Sequence, residues 1–354
     1  MRLVVALVLI GATAAAGRLP AQQEHRYLYV ALPGSDDADP DRSVRILVFD
    51  IANAHRFVRR ISVWPAGHGQ DAEVVRGTAA SVRAGRLYIS TTRRLAAIDL
   101  KSDAVVWEQS YEAHCCDRLA VSPDGRTIYA PAFGSAKWFV IDAGTGQLRS
   151  VIGVTGWPRQ TIYAGDGRHA YLSAWDSPIL SVSDTTSHRV VKTVGPFSAS
   201  LCPFTLNAAG TLAFANVDGL VGFEVGDLQT GLILDRVAVE GYDKDAAAAY
   251  ECPSHGIALT PDGRELWVAD GVRNRLHVFD ATVYPPAALG ALELSAQPRW
   301  LALSRDGRYL YSSTGDVVDT AARKIVGALE GPAARKVKSE NFVEIDFVDG
   351  APVR

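Results

Sequence analysis

A short turn that recurs at nearly regular intervals constrains the fold of this 354-residue chain more than any other feature. The turn ends in a Gly-Arg pair in five copies and in Gly-Thr in a sixth, and successive turn glycines lie 40 to 53 residues apart. The six glycines are Gly85, Gly125, Gly167, Gly210, Gly263 and Gly307. A period of about 40–45 residues is typical of the blades of a β-propeller, each of which is a four-stranded sheet.

Each repeat also shows the hydrophobic pattern of short strands. Around the turn Pro261-Asp262-Gly263, apolar residues alternate at Ile257 and Leu259 before it and at Leu266 and Val268 after it. Alternation with a period of two predicts half-buried strands, and proline and glycine favour a tight turn between them. The sequence therefore predicts an all-β protein built from antiparallel strands.

An acidic residue closes the third predicted strand of each repeat. A carboxylate at this place can accept hydrogen bonds from the backbone of the turn that follows. We therefore interpret these acids as turn-forming residues rather than as catalytic groups. They are Asp50, Asp99, Asp142, Asp184, Asp280 and Asp319, with Glu224 in the one variant copy.

The turn glycines and the acidic residues together indicate about seven repeats. The first repeat begins at Arg26 and lacks an innermost strand. An alternating strand with no repeat of its own, Asn341–Phe347, lies at the other end of the chain. Its pairing with the first repeat would close the ring and remove two exposed sheet edges. We therefore predict a seven-bladed β-propeller closed by a C-terminal strand that completes the first blade. This propeller is expected to be a single domain over residues 22–354.

The N-terminal residues have the pattern of a secretory signal peptide. Met1 and Arg2 precede an apolar run too short to span a bilayer, and small residues follow, with cleavage expected after Ala16 or Ala21. The pattern predicts a signal peptide over residues 1–21 and a secreted or periplasmic protein. No other stretch approaches the ~20 apolar residues of a transmembrane helix. With 36 basic and 39 acidic residues, the chain lacks the basic excess of a nucleic-acid-binding protein.

Three of the turns carry a longer motif with an Asp-Gly-Arg core: Ser122–Tyr129, Thr260–Val268 and Ser304–Tyr311. These motifs resemble the YVTN-type β-propeller repeats, which are related in pattern to the lactonase-like propellers. The resemblance covers nearly the whole chain after the signal peptide and implies functional residues around the central channel. It carries over no catalytic motif, because the shared residues build turns and strands. The chain departs from the pattern between Cys202 and Glu240, where the Pro-Asp-Gly turn is absent.

The residue eight positions before each turn glycine is expected to begin an innermost strand beside the mouth of the channel. These positions are Gly77, Asp117, Arg159, Cys202, His255 and Arg299. With neighbouring residues they predict a ligand-binding site that consists of Arg76, Asp117, Arg118, Arg159, Arg299, Glu340 and, in a mouth loop, Trp175. Several arginines at one mouth favour an anionic ligand, since the guanidinium fork binds carboxylate or phosphate at two points. The alternative is that they form ion pairs between the blades.

All four cysteines lie at or near these inner-strand positions beside the channel mouth. Cys202 and Cys252 begin neighbouring innermost strands, so a disulfide between them is feasible if their Cα atoms lie within about 7 Å. The adjacent Cys115 and Cys116 allow three interpretations: a vicinal disulfide, a redox element, or ligands of a soft metal together with His114. The metal site is the weaker alternative, because the chain contains no Cys-x-x-Cys pair.

His255 is the strongest candidate for a catalytic acid or base, because an ordinary histidine titrates near neutral pH. The first functional hypothesis is a protein that binds a small anionic molecule or a partner protein at the channel mouth. The second is a lactonase-like hydrolase that uses His255, with arginines stabilising the oxyanion. A third is a propeller subunit of a redox complex similar to amine dehydrogenases. The sequence contains no recognisable phosphate-binding loop or haem-attachment motif and identifies no cofactor.

Overall fold

Seven antiparallel sheets follow one another along the chain in the computed structural model, which describes residues 23–32, 41–65, 73–112, 115–132, 134–242 and 251–354. Six of the sheets contain four strands that pair in chain order, and the seventh contains five. The sheets are the blades of a β-propeller, as predicted. Among the described residues, no helix is long and apolar enough to cross a membrane. The predicted signal peptide lies outside the described residues.

The strands are numbered in chain order. The chain begins blade 1 with β1 (Glu24–Leu32), β2 (Val44–Asp50) and β3 (Arg56–Trp64). Blade 2 consists of β4 (Val75–Ser81), β5 (Arg86–Thr91), β6 (Arg94–Asp99) and β7 (Val105–Ser110). Blade 3 consists of β8 (Ala120–Val121), β9 (Thr127–Ala132), β10 (Lys137–Asp142) and β11 (Leu148–Gly153). Blade 4 consists of β12 (Pro158–Tyr163), β13 (His169–Ala174), β14 (Leu180–Asp184) and β15 (Arg189–Val194).

The remaining strands form blades 5 to 7 and return to blade 1. Blade 5 consists of β16 (Leu201–Leu206), β17 (Leu212–Val217), β18 (Gly222–Asp227) and β19 (Ile233–Ala238). Blade 6 consists of β20 (Ile257–Leu259), β21 (Glu265–Asp270), β22 (Arg275–Asp280) and β23 (Ala287–Glu293). Blade 7 consists of β24 (Leu301–Leu303), β25 (Tyr309–Ser312), β26 (Asp316–Asp319) and β27 (Lys324–Ala328). Finally come β28 (Phe342–Val348) and β29 (Ala351–Pro352), and short 3-10 helices lie at Ile51–Asn53 and Pro332–Ala334.

The hydrophobic core lies between the blades. The second and third strands of each blade are apolar on both faces, because each sheet packs against the sheets on either side. Leu87 and Ile89 of blade 2, for example, pack in one cluster with Val48 of blade 1. The outermost strands face solvent, and Val191 on β15 is 57% exposed. The half-buried strand predicted around Leu266 and Val268 was therefore wrong, because β21 is buried on both faces from Leu266 to Asp270.

The C-terminal strand closes the ring, as predicted. β28 pairs antiparallel with β1 from Val30 opposite Phe342 to Glu24 opposite Val348. Across this pair, Arg26 on β1 donates to Glu344 on β28 at 2.7 Å. The first blade is therefore built from both ends of the described chain, and neither β1 nor β28 is left as an edge strand.

The recurring acids cap turns, with two corrections to the sequence analysis. The first is Asp50, whose side chain makes no capping hydrogen bond to the helical turn Ile51–Asn53 that follows it. Asp142 accepts hydrogen bonds from the backbone amides of the two residues that begin its turn, at 2.9 and 2.8 Å. In blade 5 this role belongs to Asp227, which accepts from two turn amides. The assignment to Glu224 was wrong, because Glu224 is buried and accepts from the backbone of Ser198 instead. Spacing identifies the correct residue: Asp227 lies 17 positions after its turn glycine, as Asp142 does.

Candidate functional site

The inner-strand ends surround a cavity of about 540 Å³ at one mouth of the channel. The eight side chains predicted to be catalytic or ligand-binding all line it: Arg76, Asp117, Arg118, Arg159, Trp175, His255, Arg299 and Glu340. They come from six of the seven blades. Blade 5 is the exception, because Cys202 at the corresponding position is buried and does not line the cavity. Gly77 is likewise not among the described lining residues, although Arg76 beside it is.

Irregular starts of the innermost strands bring these side chains to the mouth. The pairing register shifts around Arg76 in β4 and around Arg159 in β12. Such bulges bend a strand and redirect a side chain. In blades 3, 6 and 7 the corresponding residues precede the strand; β20 begins at Ile257, two residues after His255. The prediction that these residues begin a strand was therefore wrong by two or three positions in those blades.

Arg159 is the most deeply buried cation of the cavity. It is 4% exposed, and its guanidinium lies over the ring of Trp175 at 4.0 Å. Its Nη2 donates to Nε2 of His255 at 2.6 Å, whereas its Nη1 is buried and has no hydrogen-bond partner among the described residues. Burial, together with the charge of Arg118, lowers the pKa of Arg159 to about 10. Arg159 therefore remains charged at neutral pH and has an unused donor.

His255 is held as a neutral ring in one tautomer. Its Nδ1 lies 2.8 Å from the carbonyl oxygen of Arg299, which can only accept a hydrogen bond. Nδ1 is therefore the protonated nitrogen, and Nε2 accepts from Arg159. Burial and the charges of Arg159 and Arg118 lower the pKa of His255 far below its ordinary value. In this arrangement, the lone pair that a general base needs is already engaged by Arg159.

Glu340 lies between two arginines at the rim. Its Oε2 is 2.5 Å from Nη2 of Arg118, and its Oε1 is 3.1 Å from Nε of Arg299. Burial would raise the pKa of Glu340, but the charge of Arg118 and the other cations nearby lower it overall. Glu340 is therefore an ionised carboxylate at neutral pH. These pairs match the alternative in which some arginines form ion pairs between blades.

Sequence reasoning missed several other cavity residues. Trp300 contacts the site through Arg118, whose guanidinium lies 3.9 Å from the centre of its ring. Gln297 and Lys338 line the cavity directly. Lys338 was detectable, since it lies two residues before Glu340 in the segment that leads into β28.

Positive charge predominates in the cavity. Its described lining contains five basic side chains, Arg76, Arg118, Arg159, Arg299 and Lys338, and two carboxylates, those of Asp117 and Glu340. Because His255 is neutral, basic side chains outnumber acidic ones in this lining by five to two. A concave site lined by one sign of charge concentrates ligands of the opposite sign.

The cysteines are paired in the structure. Cys202 is bonded to Cys252, with a Cα–Cα distance of 5.8 Å, and Cys115 is bonded to Cys116. All four are buried. The alternative metal site with Cys115 and Cys116 also required His114, which lies outside the described residues. Within the described part of the chain, no three His, Cys, Asp or Glu side chains are grouped to hold a metal ion.

The buried neutral state of His255 predicts acid sensitivity. When a histidine binds its proton more readily in the unfolded chain, the folded state loses stability as the pH falls below about 6.5. The loss is up to about 1.4 kcal/mol per pH unit for one such group. In urea unfolding between about pH 6.5 and 4.5, His255→Gln should therefore show a shallower decline than the wild type. Equal slopes in the wild type and in His255→Gln would contradict the prediction.

No protein-family model matches the chain. Among curated proteins, it is similar to a 6-phosphogluconolactonase of Yersinia enterocolitica, with 21% identity over 252 residues, which are 55% of this chain and 76% of that protein. Among solved structures, it is similar to the hydrazine synthase of Kuenenia stuttgartiensis, with a TM-score of 0.63 and 16% identity over 80% of this chain and 94% of that one. At these identities the similarities support the fold. Both fit the seven-bladed, lactonase-like type of β-propeller that the repeats resemble.

Proposed function

We propose that the protein binds a small anionic molecule at the mouth of its central channel. The observation that carries the proposal is Arg159, a charged side chain that is 4% exposed and whose Nη1 has no partner in the part of the chain that the structure describes. A buried polar group without a partner destabilises a folded protein. A ligand that accepts from Nη1 removes this penalty when it binds.

The surroundings of Arg159 support an anion rather than a neutral ligand. His255 fixes Nη2, and Trp175 lies against the face of the guanidinium, so Arg159 is oriented before a ligand arrives. Hydrogen bonds from a charged donor to a carboxylate or phosphate contribute about 1.5–3 kcal/mol each. Arg76 and Lys338 in the lining add attraction for the same sign of charge.

A hydrolase is the second candidate, and one comparison favours it. The Yersinia relative is named as a lactonase for a phosphorylated sugar lactone, which is itself an anion. In a lactonase, Arg159 would stabilise the oxyanion that forms when water attacks the lactone carbonyl. His255 would act as the base only if Arg159 released its Nε2. We therefore expect any lactone turnover by the wild type to be lost in His255→Ala.

We also infer that the protein functions outside the cytoplasm. The signal-peptide pattern of residues 1–21 supports export. The bond between Cys202 and Cys252 gives independent support, since structural disulfides persist mainly in oxidising compartments.

The binding proposal is tested by thermal unfolding with inorganic phosphate, a mono- and a dicarboxylate, and a sugar phosphate. A ligand that binds only the folded state raises the melting temperature progressively with its concentration, reaching about 2.7 kcal/mol of stabilisation at 100 times its Kd. We expect at least one of these anions to do so in the wild type and to a smaller extent in Arg299→Gln. Arg149→Gln, on the outer strand β11, is the matched control. If no anion shifts the melting temperature at millimolar concentration, the binding proposal is wrong.

A further inference from the structure

Glu340 places a carboxylate of the protein itself inside a cavity that otherwise suits anions. We propose that Glu340 determines the charge selectivity of the site: it occupies Arg118 and Arg299 as a built-in anion, and it lowers the affinity that each further anionic group adds to a ligand held by Arg159. This inference rests on the proposed binding function and specifies the ligand class. Charge selectivity means here the ratio of affinities for ligands that differ in their number of anionic groups.

Glu340 forms two ion pairs, one with Arg118 and one with Arg299. Both oxygens of Glu340 are engaged, one by Arg118 at 2.5 Å and the other by Arg299 at 3.1 Å. A ligand carboxylate that approached the same two arginines would have to displace Glu340 or share its partners. The cations at this part of the rim are therefore already matched, whereas Nη1 of Arg159 is not.

Backbone contacts on both sides of Glu340 fix its position. Ser339 before it donates from Oγ to the carbonyl of Ala31 at 2.6 Å. The carbonyl of Asn341 after it accepts from the amide of Ala31 at 3.0 Å. Ser339 and Asn341 are both buried. Because both neighbours are fixed to β1, the backbone of Glu340 is held beside the cavity, and the two ion pairs hold its side chain there.

The charge of Glu340 also acts beyond its two ion-pair partners. The charge of Glu340 acts on both Arg159 and His255. An anion at Nη1 of Arg159 therefore experiences repulsion from Glu340. Each additional ligand charge increases this repulsion, because Coulomb energies scale with the product of the charges. The effect is to reduce the gain in affinity that di- and trianions obtain from the cations of the cavity, compared with monoanions of similar shape.

The test is a series of ligands of increasing charge. Butyrate, succinate and tricarballylate carry one, two and three carboxylates on short aliphatic chains, and their Kd values are measured by calorimetry at low ionic strength. In Glu340→Gln, we expect affinity to increase by roughly three- to tenfold for each ligand charge, so the gain is largest for tricarballylate. Glu340→Asp keeps the charge and should keep the wild-type selectivity. Glu293→Gln, at an outer strand and with a side chain 76% exposed, should change nothing.

The outcomes separate this inference from the binding proposal. If the wild type binds none of the three acids nor any anion of the thermal series, the binding proposal fails and this inference with it. If the wild type binds them and Glu340→Gln keeps the wild-type selectivity, Glu340 is only a structural partner and this inference alone is wrong. Should Glu340→Gln fail to fold, Glu340→Met removes the same charge while keeping an unbranched side chain, and the same loss of selectivity is required of it.

Discussion

Replacing Ile345 by alanine is expected to lower the free energy of unfolding by about 2–5 kcal/mol, the usual range for a large-to-small change in a core. Ile345 is 1% exposed on β28, where it pairs with Tyr27 of β1. It packs in the cluster that joins blades 1 and 2, which includes Val48 and Leu87. The substitution leaves a cavity at the seam where the ring is closed. Denaturant unfolding followed by circular dichroism measures the change.

Val353→Ala is the control for this experiment. Val353 lies in the same C-terminal segment but is 42% exposed, so its truncation should change stability by less than about 0.5 kcal/mol. If Ile345→Ala has an effect as small as that of the control, β28 contributes little to closing the propeller. A large effect of Ile345→Ala alone supports the closure seen in the structure.

The second large effect is expected at Arg159. Arg159→Met should weaken binding of an anion that stabilises the wild type by about ten- to a hundredfold, because one charged donor is lost. Methionine keeps a long apolar side chain against Trp175 but removes the charge. Calorimetry with the anion that gives the largest shift in the thermal series measures the change in Kd.

Two further variants make this result interpretable. Arg149→Met loses the same charge on the outer strand β11 and should bind as the wild type does. Arg159→Lys keeps the charge but not the fork, and we expect an intermediate affinity. If Arg159→Met binds as tightly as the wild type while its melting temperature falls, Arg159 is a structural partner of His255 rather than a ligand-binding residue.

The fold could be predicted from the sequence because the length and turns of the repeat are specific to propeller blades. The period, the Asp-Gly-Arg turns and the unpaired strand after residue 340 together allow one closed ring. The same repeat placed the site, since equivalent positions of a ring of blades face one mouth. Residues as distant in sequence as Arg76 and Glu340 could therefore be assigned to one cavity.

Partnerships within the cavity could not be predicted, because they depend on side-chain direction. The bulge at Arg159, its bond to His255 and the bridging position of Glu340 leave no periodic signal in the sequence. His255 illustrates the difference: its register identified it as a cavity residue, but only the neighbouring atoms show that its ring is neutral and engaged. The error at Glu224 had another cause: blade 5 lacks the Pro-Asp-Gly turn, and only the spacing of 17 residues from Gly210 identifies Asp227 as the turn acid.

Glu340 and the closing strand β28 belong to one continuous segment, and this has a consequence for biosynthesis. The ribosome makes this segment after the strands of blades 2 to 7 and after the first three strands of blade 1. A nascent chain that already contains those strands still lacks the carboxylate that bridges Arg118 and Arg299. The mouth is thus completed at the same late step that seals the ring, so a chain without β28 lacks both the closure and the carboxylate that we propose to set ligand selectivity.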